Sequence, residues 1–387
     1  MTKWAWPARR GWFVRDQVPG PDVDEFAEAD QVIVALARPG AADATLLAVQ
    51  HPHQTPAALA AGQPLLATLP AARRVLDHLI ATAYTEADDV IAAYRVAGPD
   101  GTALGVLCLI DPAAVDANGL ARVRHSEQVY PDVVAERAAV LAGLGAATSA
   151  AMLLPVAEGS ALTDLITSTI ARTGAPTVST SDSIGRRHEL WPIAPGPLQD
   201  ALLDAVQRHP LLVADGNHRV AAANGLPSLL ALVTAGPDLR VGAIHRVLHD
   251  TGYSLDDLAA AWHRIGLTTH AARPPRPGTV LVETPTGAIS VDLPPPDPDE
   301  PRPRIDHGVV EHVLVRTALG IDPEGPHLRA LTANQTPTPG YDAVLRIAPV
   351  SFADVLAVHE QGRRMPRKST YFTPKPRSGL FLADLTA

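Results

Sequence analysis

The chain is poor in cysteine, in aromatic residues and in positive charge, and each shortage removes a class of protein. Among 387 residues there is one cysteine, Cys108, so no intrachain disulfide can form. It stands in the apolar run "LGVLCLI", which predicts a buried strand residue with an inert thiol. Aromatics make up 4% of the chain, and Lys and Arg number 32 against 41 Asp and Glu, a net charge of −9. That balance gives no electrostatic footprint for nucleic acid or for an anionic membrane surface. No stretch nears the ~20 apolar residues that a membrane span needs. The N-terminus, "MTKWAWPARRGWFVRD", has no signal-peptide apolar core, and a cytoplasmic protein is the expectation. Also lacking are a glycine-lysine phosphate loop, a G-x-G-x-x-G fingerprint and a G-x-S-x-G elbow. Histidines at His51, His53, His307, His312 and His359 lack the carboxylate or cysteine company of a resident metal centre, so none is expected there.

What is present is a globular composition, 46% apolar and 19% charged, long enough for one large core or two to three domains. "QVIVALA" and "TLLAVQ", around a turn at Pro39 and Gly40, read as two short strands. "PAARRVLDHLIATAY" has helical spacing, and "DVIAAYRVA", "GPDG", "TALGVLCLID" reads as a hairpin. The stretch "RVRHSEQVYPDVVAERAAVLAGLGAATSAAMLL" becomes helical from about Pro131, and another helix begins near Ser160. Strand "HELWPI", helix "PLQDALLDAVQRH" and buried strand "PLLVAD" follow, then strands "SLLALVTA" and "VGAIHRVLHD". A helix starts at Ser254, with Asp257 three residues on, and stops at Gly266. A hairpin sits between the proline-rich stretches "PPRPG" and "PPPDPDEPRPR", and the last helices are "DHGVVEHVLVRTALG" and "SFADVLAVHEQG". "STYF" and "GLFLADL" are too apolar for a free tail and predict a docked strand. The alternation of helix and strand predicts a mixed α/β fold. Three regions are expected, residues 1–150, residues 151–270 and residues 271–387.

The chemistry concentrates in "LLVADGNHRVAAANG", residues 211–225. A strand that ends in Asp-Gly and feeds a short helix aims backbone N–H groups at one spot, which suits an anion. Arg219 adds a fork of donors, His218 can donate or move a proton, and Gly216 permits close backbone approach. Asp215 would then serve as a general base or a Mg2+ ligand. The same residues also suit a structural role, with Asp215 as a helix cap, His218 as a core histidine and Arg219 on the surface. Near the C-terminus, Lys368, Ser369, Thr370 and Lys375 put two ammonium groups and two hydroxyls within eight residues, again suited to phosphate.

"ADGNHR", then "VGAIHRVL", then "MPRKSTYFTPKPRSGL" resembles the domain of unknown function 1015 family. "GRRHELWPI", "RHSEQVYPDVVAER", "AYRV" and "YDAVLRIAPV" fall in matching order. The box is also similar to that of the ParB/sulfiredoxin superfamily, whose loop holds nucleotide phosphates, and of its free-serine kinase members. Departures are visible. Asn217 stands where the family box has His, and the upstream His-Glu pair appears as Ser126-Glu127 with His125 shifted one place. "VPGPDV", with Asp22, is the nearest match to the family's early Pro-Pro-Tyr-Asp segment.

The resemblance implies a ParB/sulfiredoxin-like core with N- and C-terminal extensions, and nucleotide-dependent phosphoryl transfer, from ATP or ADP with Mg2+, to a small hydroxylated metabolite such as free serine. Asp215, His218 and Glu127 are the expected catalytic residues. Gly216, Asn217, Arg219, His245, Arg246, Lys368, Ser369, Thr370 and Lys375 are the expected nucleotide-binding ones, around one pocket. The alternative it leaves open is a nucleotide- or phosphate-binding regulatory protein without turnover.

Overall fold

The computed structural model describes residues 3–20, 29–298 and 301–386. Asp22 lies outside the described residues. The chain divides into two compact units, one of residues 1–125, 129–239 and 374–387, the other of residues 126–128 and 240–373.

Among its described residues the first unit is built on one twelve-stranded mixed sheet. Its path runs Val123–Arg124, Leu211–Asp215, Ala151–Pro155, Leu229–Asp238, Gly101–Ile110, Tyr84–Gly98, Ala8–Val14, Phe381–Asp384 and Ala146–Ala147. The hairpin legible in the sequence forms its middle, pairing Gly98 with Gly101 and Ala92 with Leu107. Strand Arg187–Ile193 joins through Tyr84–Gly98, setting Tyr94 opposite Leu190. Leu211–Asp215 is apolar and buried as far as Ala214, and each of its edges is paired, parallel to Val123–Arg124 and antiparallel to Ala151–Pro155. A strand covered on both faces must be a continuous apolar run, which is why "LLVA" carries no alternation. Cys108 is fully buried in Gly101–Ile110, and burial pushes its thiol up to about 12.

Helices Leu65–Ala83, Pro131–Leu144, Gly159–Thr173 and Pro197–Val206 accompany this sheet, each near its expected place. Two segments read as strands are helices instead, Ala29–Leu36 and Leu46–Gln50. In the first, Val32, Ala35 and Leu36 are buried while Val34 is 65% exposed, the helical period rather than strand alternation. In the second, the Thr45 hydroxyl accepts from the Ala48 N–H at 3.2 Å, an N-cap, and Leu46 to Val49 are all buried. The helix from Pro131 also ends sooner than its composition suggests. Gly145 adopts φ 61°, a left-handed stop, and "AMLLP" continues as a strand.

The second unit carries a six-stranded sheet in the order Thr269–Ala271, Gly287–Asp292, Thr279–Thr284, Tyr341–Arg346, Ile244–His249 and Leu328–Thr332. Arg240–Gly242 pairs with Tyr371–Thr373, so the "STYF" block does dock as a strand. The helix Leu255–Arg264 opens with the expected capping box between Ser254 and Asp257 and buries Trp262, whose indole N–H donates to the Leu314 carbonyl at 3.1 Å. The expected hairpin between proline stretches is present, and "DHGVVEHVLVRT" forms a helix that widens to a π-helix over Val310–Thr317. The mixed α/β architecture expected from the sequence is the one found.

Candidate functional site

Asp215 to Arg219 and Lys375 belong to the first unit, and Glu127, His245, Arg246 and Lys368 to Thr370 are a second set, in the other unit. In the first unit the centre is Asp215, at the end of its strand. The ladder with Ala151–Pro155 slips between Val213 and Asp215, so Ala214 is an extra residue there, the kind of bulge that re-aims the side chain after it. Asp215 Oδ1 accepts from the Lys375 ammonium at 2.7 Å, and Oδ2 from the Arg219 guanidinium, one helical turn on. A second Arg219 nitrogen donates to the Ala150 carbonyl at 2.9 Å. One carboxylate thus gathers two cations in a half-buried setting, with side chains 15% exposed for Asp215, 11% for Lys375 and 21% for Arg219.

Gly216 is what lets Arg219 fold back. Its φ is 88°, a left-handed conformation, and an added Cβ would stand 2.7 Å from Arg219 Nε. The helix that follows, Asn217–Ala222, is a turn and a half long. Asn217 is buried, and its Oδ1 accepts from His125 Nδ1 at 3.2 Å. The histidine displaced upstream of the family pattern is therefore the one that meets the box. His218 Nε2 accepts from the Tyr130 backbone N–H at 3.1 Å, which puts the neutral ring's proton on Nδ1, and its ring stacks on Tyr130 with 5.8 Å between centroids. Its Nε2 is thus engaged with the chain itself. A small cleft lies beside the cluster, lined by Tyr94, Thr148, Ser149, Ala150, Pro376 and Arg377. It shares Ala150 with the Arg219 contact and follows Lys375 directly in the chain.

The second set centres on Glu127. Its Oε1 accepts from the N–H groups of Ser369 at 3.2 Å and Thr370 at 3.0 Å and from the Thr370 hydroxyl at 2.6 Å, and its Oε2 from the Lys368 N–H at 3.1 Å. The Ser369 hydroxyl donates to the Pro366 carbonyl at 2.7 Å, and Lys368 turns the corner with φ 50°. The two hydroxyls expected to face phosphate thus bond within this turn. Arg246, 2% exposed, binds Glu311 at 2.7 Å and donates to the carbonyls of Lys368 at 3.1 Å and Arg367 at 3.0 Å. His245 Nδ1 accepts from the Ile347 N–H at 3.2 Å, and burial, with Arg346 and Arg246 adding, pushes its imidazole down to about 4. Behind it His307 is fully buried, its Nε2 against the Ile244 carbonyl at 2.9 Å, and burial holds it at about 3.

Sequence reasoning missed the partners that complete these networks. Tyr130 lies in "RHSEQVYPDVVAER", where Glu127 alone is given a chemical role and His125 is noted only as displaced, and Tyr94 in "AYRV" and His188 in "GRRHELWPI" lie in segments noted for their order. Among the described residues, no group of three or more His, Cys, Asp or Glu could hold a metal ion, and no helix is long and apolar enough to cross a membrane.

The family pattern of the proteins of unknown function DUF1015 matches residues 46–282, more than half of the sequence, and the chain belongs to that family. Solved structures similar to it include a free serine kinase in complex with AMP, 12% identical, covering 71% of this chain and 92% of that one, TM-score 0.39. SbnI with C-terminal truncation, from Staphylococcus aureus, is 13% identical over 72% of this chain and 88% of its own, TM-score 0.41. A conserved hypothetical protein from Pyrococcus furiosus is 10% identical over 72% and 96%, TM-score 0.40. No protein of curated function matches the sequence.

Proposed function

We propose that the protein is a nucleotide-dependent phosphotransferase whose phosphate site is the Asp215–Arg219–Lys375 cluster and whose acceptor is a small hydroxylated metabolite, free serine or a compound like it. The observation that carries this reading is the clasp itself. Two cations share one carboxylate, and both are long side chains that can pass from carboxylate to phosphoryl oxygens. Released by that exchange, Asp215 is a carboxylate beside the bound phosphates, able to take the proton of an attacking hydroxyl. Gly216 clears the backbone for this approach.

Asp215 rather than Glu127 is assigned the base. The donors on Glu127 are mostly backbone N–H groups of a tight turn, which cannot leave it, whereas those on Asp215 are side chains that a ligand can draw away. Glu127, Ser369 and Thr370 are then the frame of the C-terminal block. A Mg2+ ion fits beside Asp215 only together with the nucleotide, because Arg219 and Lys375 repel a bare cation and a single carboxylate needs phosphate oxygens to complete the shell. The ion would supply charge neutralisation on the transferring group.

A second reading, nucleotide or phosphate binding without turnover, is favoured by one feature. Asn217 is occupied with His125 and His218 with Tyr130, so neither offers a side chain poised for proton transfer.

The two readings share a first test, thermal shift against ATP, ADP, CTP and pyrophosphate with and without Mg2+. A ligand at a hundredfold its dissociation constant stabilises the folded state by about 2.7 kcal/mol, readily visible in Tm. No shift with any of them would remove both.

A further inference from the structure

We propose that a buried chain of three side chains, Asp182, His188 and Tyr94, is the positioning device for Lys375. Tyr94 is 1% exposed and His188 fully buried, and neither belongs to the clasp. Tyr94 Oη lies 2.6 Å from His188 Nδ1, and His188 Nε2 lies 3.0 Å from Asp182 Oδ2. The backbone N–H of Arg377 donates to the same Tyr94 oxygen at 3.2 Å. These contacts fix every proton. An ionised Asp182 accepts from His188 Nε2–H, so Nδ1 is the acceptor for the Tyr94 hydroxyl, and the lone pairs of Oη are left for Arg377. Burial opposes charge on Asp182, yet the His188 and Arg186 hydrogen bonds outweigh it and hold its carboxyl below the ordinary range.

The far end of the chain is anchored. Asp182 Oδ1 accepts the N–H groups of Ile184 at 3.2 Å and Arg186 at 2.8 Å, and the Arg186 guanidinium binds Asp100 at 2.6 Å. The near end meets the segment that carries Lys375. Pro374 rests beside Gly101, Arg377 is tied by its N–H to Tyr94 and by its guanidinium to the Ser181 carbonyl at 2.9 Å, and Lys375 lies between them with its ammonium on Asp215. A long, flexible lysine side chain stays on its carboxylate more firmly when its backbone has a fixed point. The Tyr94 hydroxyl supplies that fixed point.

The whole sequence has three lysines, Lys3, Lys368 and Lys375, which makes the test direct. In full-length protein carrying 15N-lysine, the ζ-ammonium signals are recorded without ligand, and Lys375→Arg assigns the third. A retained, slowly exchanging Lys375 signal is expected in the wild type. Tyr94→Phe, which deletes one oxygen, should move that signal to the position of a solvated lysine while the Lys3 signal stays. Arg377→Ala, which keeps the backbone N–H, should leave it in place. Asp182→Asn reads the same link without touching Tyr94: with an amide N–H toward Nε2 the imidazole carries its proton on Nδ1, the buried Tyr94 hydroxyl loses its acceptor, and the signal should also move. A Lys375 signal unchanged in Tyr94→Phe and Asp182→Asn, or moved equally in Arg377→Ala, overturns the proposal.

Its consequence for ligand binding rests on the phosphate reading, and ADP titration separates the two. With the signal displaced, about tenfold weaker ADP binding is expected in Tyr94→Phe. Undiminished binding would count against Lys375 as a phosphate ligand and leave the positioning chain standing.

Discussion

The ammonium of Lys375 sits 2.7 Å from Oδ1 of Asp215, a contact made across 160 residues of sequence. It joins the C-terminal block to the strand end at which the Asp-Gly box begins.

Arg219→Ala and Lys375→Met should each weaken nucleotide binding by roughly 10- to 100-fold, since a charge-assisted bond to phosphate contributes about 1.5–3 kcal/mol and each 1.4 kcal/mol is tenfold. Calorimetry with ADP or ATP reads the effect, and unchanged affinity in both variants would return the clasp to a structural role.

Gly216→Ala should destabilise through two causes that act together. The left-handed φ of 88° costs an alanine about 1–2 kcal/mol, and its Cβ displaces the Arg219 guanidinium. A Tm lower by roughly 2–8 °C is expected, with nucleotide affinity falling as well. A variant as stable and as tightly binding as the parent would contradict the account of Arg219.

Glu127→Gln distinguishes a frame from a base. An amide puts two N–H donors where up to three backbone N–H groups and a hydroxyl now point, so unsatisfied donors costing roughly 1–3 kcal/mol each should lower Tm. Nucleotide affinity should stay within about twofold of the parent. If instead Tm holds and only turnover is lost, Glu127 is the base and Asp215 is not.

Much of this was legible in the sequence, because the elements that carry the site announce themselves. "PLLVADG" is apolar up to a turn, "GPDG" marks the central hairpin, and Ser254 with Asp257 marks a helix start. What was not legible follows from physics as well. "TLLAVQ" is apolar on every side because its helix is buried on every side, so periodicity cannot separate it from a strand. The pairing of Asp215 with Lys375, of Asn217 with His125 and of Tyr94 with His188 are long-range contacts, and no local pattern encodes a partner about a hundred residues away. The assignment of residues 126–128 to the second unit and of residues 374–387 to the first depends on where the chain crosses between units, which composition does not mark.

Acid should destabilise the protein through its buried histidines. Burial first, with Arg137 adding for His51 and Arg346 for His245, pushes both imidazoles from 6.5 to about 4, and burial takes His307 to about 3. Folded-state values below the unfolded one mean that the unfolded chain binds more protons between those limits. The stability these groups contribute is complete above pH 6.5 and is lost as pH falls toward 4, by up to about 1.4 kcal/mol per unit for each fully shifted group. Urea midpoints at pH 7, 6 and 5 should decrease in that order, and a flat series would contradict the buried, neutral assignment.

The central claim is that the Asp215 cluster transfers phosphate, and 31P NMR of ATP or ADP with Mg2+, the protein and a panel of hydroxylated acceptors headed by serine tests it most directly. The account predicts a new phosphomonoester resonance with the wild type. It predicts a rate lower by ~10²- to 10⁴-fold in Asp215→Asn, the usual contribution of a general base, with nucleotide still bound. Tight nucleotide binding with no phosphomonoester from any acceptor would contradict it and leave the protein a nucleotide-binding one without turnover.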